Sequence, residues 1–241
     1  MSTIFKSVLM AFHLLLAVIL CLIMIVLPKN IRHMIIQYWA KRLLRILKIK
    51  ITLSGEVSKF LGKDSYLVVS NHISWLDIPV IFSLKPMTFV SASDVKTWPI
   101  IGMLAKISGA IFVERNRKSS LVEVIQAMNH HFKNEKRSIC IFPEGVTSNG
   151  YQVLPFKSNL FQSAFESNVL LLPLSIKYKE NNVLTNRTSF HGSTTLFQSF
   201  KRVAKSNLIE VVVDIGRPIK PSQSRKDLSL KIQEVIALKI N

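Results

Sequence analysis

The sequence predicts an α/β fold: a mostly parallel central sheet flanked by helices, preceded by an N-terminal membrane-associated helical segment. Three observations carry that prediction. From Lys48 onward, strand-like and helix-like segments alternate, the order expected when helices cross over between parallel strands. Several strand-like runs are near-continuously apolar, as in Val169 to Leu174, a pattern that suits strands covered on both faces. Ahead of them, Val8 to Leu27 is apolar throughout except for His13. A helix of that length spans roughly 30 Å, about the hydrocarbon thickness of a bilayer.

The apolar run reads as an uncleaved anchor. A signal peptide has a shorter apolar core and ends at a small-residue cleavage site. This run ends in Val26-Leu27-Pro28-Lys29, and the residue before Cys21 is the bulky Leu20. Ile31 to Lys48 then changes character: Ile35, Trp39, Leu43 and Ile46 recur at helical spacing, with Lys41, Arg42, Arg45 and Lys48 over much of the other side. The plain reading is a domain helix with a solvated charged face. Its position directly after an anchor favours a basic amphipathic helix lying in an anionic headgroup layer. The basic residues after the anchor outnumber the lone Lys6 before it, which puts the remainder of the chain in the cytoplasm.

The chain carries 32 basic against 14 acidic residues, a net charge of +18. Such a balance suits nucleic acid, anionic lipid or a phosphorylated substrate. The charge is spread along the chain with no nucleic-acid motif or zinc spacing, so nucleic acid is not expected as a partner. An anionic membrane surface explains charge and anchor together. The two cysteines, Cys21 and Cys140, lie in the anchor and in an apolar strand-like run, which fits a reducing compartment and offers no metal site.

Strands are expected at Ile49 to Leu53, Tyr66 to Ser70, Thr88 to Ser91, Ala110 to Glu114, Ser138 to Phe142, Val169 to Tyr178 and Leu208 to Ile215. Between them, helices are expected at Ser74 to Ser83, Trp98 to Ile107, from a capping box at Ser120 to Glu123, at Lys157 to Glu166, Ser193 to Ala204 and Ser224 to Lys239. In open α/β sheets, sites gather where strands end and helices begin.

Three such junctions carry candidate chemistry. His72 and Asp77 stand five apart in Asn71-His72-Ile73-Ser74-Trp75-Leu76-Asp77. Residues five apart on one helix do not share a face, so the pair meets only if His72 lies on the turn before a helix capped by Ser74. Imidazole titrates near neutrality, and a carboxylate fixes its tautomer and stabilises its charged form. The bland alternative is a capping box with His72 in a loop. The second junction is Gly109 to Arg115, followed by Asn116-Arg117-Lys118. A strand ending in cations binds phosphate through charge-assisted hydrogen bonds or is simply a solvated basic loop. The third is Phe142-Pro143-Glu144-Gly145-Val146-Thr147-Ser148, with Lys157 shortly after. Gly145 permits close approach of a ligand, though Pro-x-Gly is also an ordinary turn.

In this order the three junctions resemble the glycerolipid acyltransferase superfamily, especially the bacterial 1-acylglycerol-3-phosphate acyltransferases. The matching residues are Asn71-His72 to Asp77, Gly109 to Arg115, Phe142 to Gly145, and an apolar strand carrying Pro173. The chain departs from the family pattern at Val146 and Thr147, where members usually have Thr directly after the Glu-Gly pair, often followed by Arg, and at Asn159, near a place where many carry Gly.

The resemblance implies residues 1–50 as anchor plus basic helix and residues 51–241 as the catalytic domain. It implies His72 as general base oriented by Asp77, and Arg115, Glu144, Gly145 and Lys157 as acceptor-binding residues. The implied reaction moves a fatty acyl chain from acyl carrier protein or coenzyme A to the sn-2 hydroxyl of lysophosphatidic acid, without metal or resident cofactor. It takes place at the cytoplasmic face of a bacterial inner membrane. A lyso-ornithine lipid is the alternative acceptor, and a membrane-anchored scaffold is the non-enzymatic alternative.

Overall fold

A computed structural model describes residues 3–114, 117–222 and 224–240. Two helices lead, α1 (Thr3–Met24) and α2 (Lys29–Ile46). The alternating part follows as β1 (Ile49–Gly55), α3 (Val57–Leu61), β2 (Leu67–Ser70), α4 (Asp77–Leu84), β3 (Thr88–Ala92), α5 (Ile101–Ser108), β4 (Ile111–Val113), α6 (Lys118–Glu135) and β5 (Ile139–Ile141). It closes with α7 (Gln162–Ser167), β6 (Leu171–Glu180), β7 (Val183–Leu184), α8 (Leu196–Lys205), β8 (Ile209–Ile215) and α9 (Arg225–Ile240). The sheet runs β1-β8-β6-β2-β5-β3-β4, with β7 beside β6. Its pairings are parallel except for β6 with β8 and β6 with β7.

The apolar runs are read out as two cores. Along β2, Val68 enters one core, whereas Leu67 and Val69 enter the other. Cys140 on β5 joins the first, and its neighbours Ile139 and Ile141 the second. Successive side chains of a strand point to opposite faces, so a central strand covered on both sides must be apolar at every position. The pair β1-β8 is different. Ile209, Val211, Val213 and Ile215 all face the first core, and the alternate positions of β8 are only half-buried.

Helix α1 buries a stripe along its whole length, from Lys6 through His13 and Ala17 to Met24. Lys6 donates to the Ser206 carbonyl after α8, and Trp39 of α2 stacks on His13 and donates to its carbonyl. The opposite face of α1 is apolar and exposed, with Ile4, Phe12, Leu15, Ile19 and Leu22 outward. At the far end the hairpin is tied down by Lys29 to Glu135, and by Arg137 to His33 and Asn30.

Three sequence expectations shift. The apolar stripe of α2 turns into the protein rather than toward lipid: Leu43 and Ile46 are buried, and Ile35 and Trp39 pack against the same core. Its outward face is instead Ile31, Met34 and Tyr38, then Lys41 and Arg45. Ser120 does not cap its helix; α6 begins earlier, and the Ser120 hydroxyl accepts from the Glu114 amide at 2.9 Å. Helix α4 starts later than expected, at Asp77, although the Ser74 hydroxyl still accepts from the Leu76 amide at 3.2 Å and the Asp77 carboxylate from the Ser74 amide at 2.9 Å.

Candidate active site

The turn between β2 and α4 holds His72 at the carboxyl end of a buried parallel strand. Four buried groups fix it. The Asn71 amide bonds Ile176 of β6 in both directions, donating to its carbonyl at 2.9 Å and accepting from its amide at 2.8 Å. The His72 amide donates to Glu144 Oε1 at 2.7 Å, and its carbonyl accepts from the Ser148 amide at 2.7 Å. The turn thereby joins β6 to the loop after β5.

Asp77 is fully buried. Its Oδ2 lies 2.7 Å from His72 Nδ1 and accepts from the amides of Ile73 at 2.7 Å and Ser74 at 2.9 Å. Its Oδ1 accepts from the Tyr178 hydroxyl at 2.7 Å. The geometry therefore joins both readings of the sequence: Asp77 closes the helix-entry turn and holds the imidazole. A carboxylate in this setting only accepts, so Nδ1 is the protonated ring nitrogen and Nε2 keeps its lone pair. The ring stacks on Phe142 with centroids 4.1 Å apart.

The imidazole borders two cavities. One, of about 620 Å³, is walled by Trp39, Trp75, Phe82, Leu104, Val146 and Phe190. Its walls are mostly apolar, with Ser91, Asp94, Ser108 and Thr147 as the polar exceptions beside His72. The other, of about 330 Å³, is lined by Ser91, Glu114, Gly145, Lys157 and Asn159 beside the same His72. Gly145 has φ +73°, and a Cβ there would sit 3.0 Å from Lys157 Nζ. Glycine at this position thus lets the ammonium lie against the backbone beside His72.

Glu144 sits elsewhere than its neighbours in the motif. It is 3% exposed, and its two oxygens accept from the amides of His72 and Leu154. Burial raises its carboxyl to about 7, against the pull of those two amides. Its contacts make it a strut under the His72 turn. Arg115 lies outside the described residues. Beside it, Arg117 pairs with Glu114 and Glu123 on the surface. Val146 and Thr147 belong to the apolar cavity's wall, and the Thr147 hydroxyl donates to the Phe190 carbonyl.

Sequence reasoning missed Tyr178, the aromatic wall and the polar lining at Ser91. Tyr178 did leave a signal. It continues the parity of Leu172, Leu174 and Ile176, the strand face that enters the first core. A hydroxyl on such a face needs a buried partner.

The family model described as Acyltransferase matches residues 48–177. A lyso-ornithine lipid O-acyltransferase from Pseudomonas aeruginosa is 32% identical over 211 residues, covering 86% of this chain and 79% of that protein. A 1-acyl-sn-glycerol-3-phosphate acyltransferase from Neisseria gonorrhoeae is 28% identical over 175 residues, covering 72% and 68%. The crystal structure of the 1-acyl-sn-glycerophosphate acyltransferase PlsC from Thermotoga maritima shares the fold, with a TM-score of 0.71 at 20% identity, covering 99% of this chain and 92% of that one. With the matched segment running from the end of the helical hairpin to the strand that carries Tyr178, this chain belongs to the Acyltransferase family.

Proposed function

We propose that this protein transfers a fatty acyl chain from a thioester donor to the free hydroxyl of a membrane lyso-lipid, with His72 as general base and Asp77 as its orienter. The observation that carries the reading is the position of His72, between an apolar cavity of about 620 Å³ and a smaller polar one holding Lys157. The acyl chain of the donor occupies the first, and the head of the acceptor occupies the second. Nε2 takes the proton from the acceptor hydroxyl as its oxygen attacks the thioester carbonyl. The tetrahedral centre collapses, the carbon–sulfur bond breaks, and the imidazolium returns the proton to the departing thiolate. Asp77 stabilises the imidazolium in between. The donor is acyl carrier protein or coenzyme A thioester, and no metal or resident cofactor takes part.

The acceptor proposed first is lysophosphatidic acid, acylated at its sn-2 hydroxyl to give phosphatidic acid. Lys157 meets its phosphate through a charge-assisted hydrogen bond. A second acceptor is favoured by specific observations. Glu114 and Lys157 line the same pocket, a pairing that suits a zwitterionic ornithine head, and the Pseudomonas relative is named for that lipid. The α1 stripe buried along its whole length supports insertion into the cytoplasmic leaflet of a bacterial inner membrane, so a lyso-lipid reaches His72 without leaving the bilayer. The test is acyl transfer from labelled palmitoyl thioesters to each acceptor in detergent. Product with lysophosphatidic acid supports the first acceptor, product with lyso-ornithine lipid alone assigns the second, and product with neither overturns the lyso-lipid reading.

A further inference from the structure

Helix α8 lies in the same layer as α1 and α2. Val203 enters the core they share, and Ser199 accepts from Trp75 Nε1 at 3.1 Å. The loop after α8 receives Lys6 of α1 at the Ser206 carbonyl. The start of α8 is fixed by a capping box between Thr195 and Gln198, so the helix is rigidly presented. Its outward surface does not resemble an ordinary solvated face. Phe197 is 73% exposed and Leu208, just past the helix, is 53% exposed. Lys201 and Lys205 follow Phe197 at i+4 and i+8 on the outward face.

An exposed aromatic beside a row of lysines is the signature of a helix at a membrane surface, the ring among the upper acyl chains and the ammonium groups at lipid phosphates. The apolar face of α1 starts on the adjoining helix, with Ile4 78% and Val8 48% exposed. We propose that α8 is a second membrane-contact element: it rests in the headgroup layer of an anionic leaflet beside α1, with Phe197 and Leu208 inserted and Lys201 and Lys205 at the phosphates. The inference rests on the reading that α1 inserts into that leaflet. It makes the contact two-helix, with α1 touching Trp39 and α8 touching Trp75 of the apolar cavity's wall, and so fixes the cavity's orientation to the bilayer.

The test uses the full chain with an environment-sensitive fluorophore on Phe197→Cys, with Leu15→Cys on α1 as the inserted reference and Leu230→Cys on α9 as the aqueous one. Both native cysteines are buried. On vesicles of phosphatidylglycerol and phosphatidylethanolamine, the label at 197 is expected to shift to the blue and to be quenched by headgroup-level quenchers. The label at 230 is expected to do neither. Lys201→Gln with Lys205→Gln is expected to weaken partition into these vesicles by about fivefold per lysine, with unchanged partition into phosphatidylcholine and unchanged turnover in detergent. A shift at 15 without one at 197 overturns the proposal while leaving α1 inserted. No shift at either position overturns both. A shift at 197 produced by acidic carrier protein but not by vesicles assigns the surface to the donor instead.

Discussion

The two cavities that meet at His72 are built by different parts of the fold. The larger is walled by helices α2, α4 and α5 together with the 190 loop, and most of its lining side chains are apolar. The smaller is walled by the ends of β3, β4 and β5 and the loop after β5, where Ser91, Glu114, Lys157 and Asn159 converge. On the proposed mechanism, the difference lets one base serve two unlike substrates. Helix faces supply a hydrocarbon-like wall at no cost in buried polar groups, whereas strand ends present loops and side chains able to read a charged head. His72, with Ile78 and Ser91, belongs to both.

Substitutions at the shared edge, at one wall or under the turn should therefore separate. Short of removing the imidazole itself, the largest effect is expected for Asp77→Asn, which leaves the ring without its carboxylate and loosens its tautomer. Turnover should fall by about 10²- to 10⁴-fold with either acceptor, and steady-state kinetics with donor and acceptor varied in turn would show it. A loss confined to one substrate's KM would break the idea that the edge is common property.

Lys157→Ala is expected to act on one side alone. It should raise the acceptor KM by roughly 10- to 100-fold, the range of one charge-assisted hydrogen bond, and leave the donor KM unchanged. Ala105→Phe fills the other side, since Ala105 lines the apolar cavity. About tenfold lower turnover with long-chain than with short-chain donors, at an unchanged acceptor KM, would sharpen the division. Equal effects on both substrates would blur it.

The smallest effect concerns stability. Burial lifts Glu144 from 4.5 to about 7, so the folded state holds this proton more tightly than the unfolded chain. Its contribution is complete below pH 4.5, is lost as pH rises through 7, and amounts to about 3 kcal/mol across that window. Glu144→Gln removes the titration. Urea unfolding at several pH values should show the wild-type stability declining over that range relative to the variant, and parallel profiles would contradict the strut assignment.

How much of this was legible in the sequence follows from how local each cause is. The strands were readable because a two-faced strand such as β2 must be apolar throughout, and the His72 turn because five-residue spacing cannot lie on one helix face. The orientation of α2 was not, because an apolar stripe looks the same whether it meets lipid or α4. Nor was the inward turn of Glu144, which depends on amides 72 and 154, far apart in sequence. The two cavities are wholly tertiary: the residues that wall them come from α2 to the 190 loop, and no sequence spacing brings them together.

The account stands on Nε2 of His72 as the base between the cavities, and the most direct measurement is His72→Ala assayed for turnover and for binding of each substrate. The account predicts a fall in turnover of about 10³-fold or more, with binding of acyl thioester and of lyso-lipid both retained. Turnover at the wild-type level would contradict it, and His72 would then be no more than a half-buried turn residue beside a helix-capping aspartate.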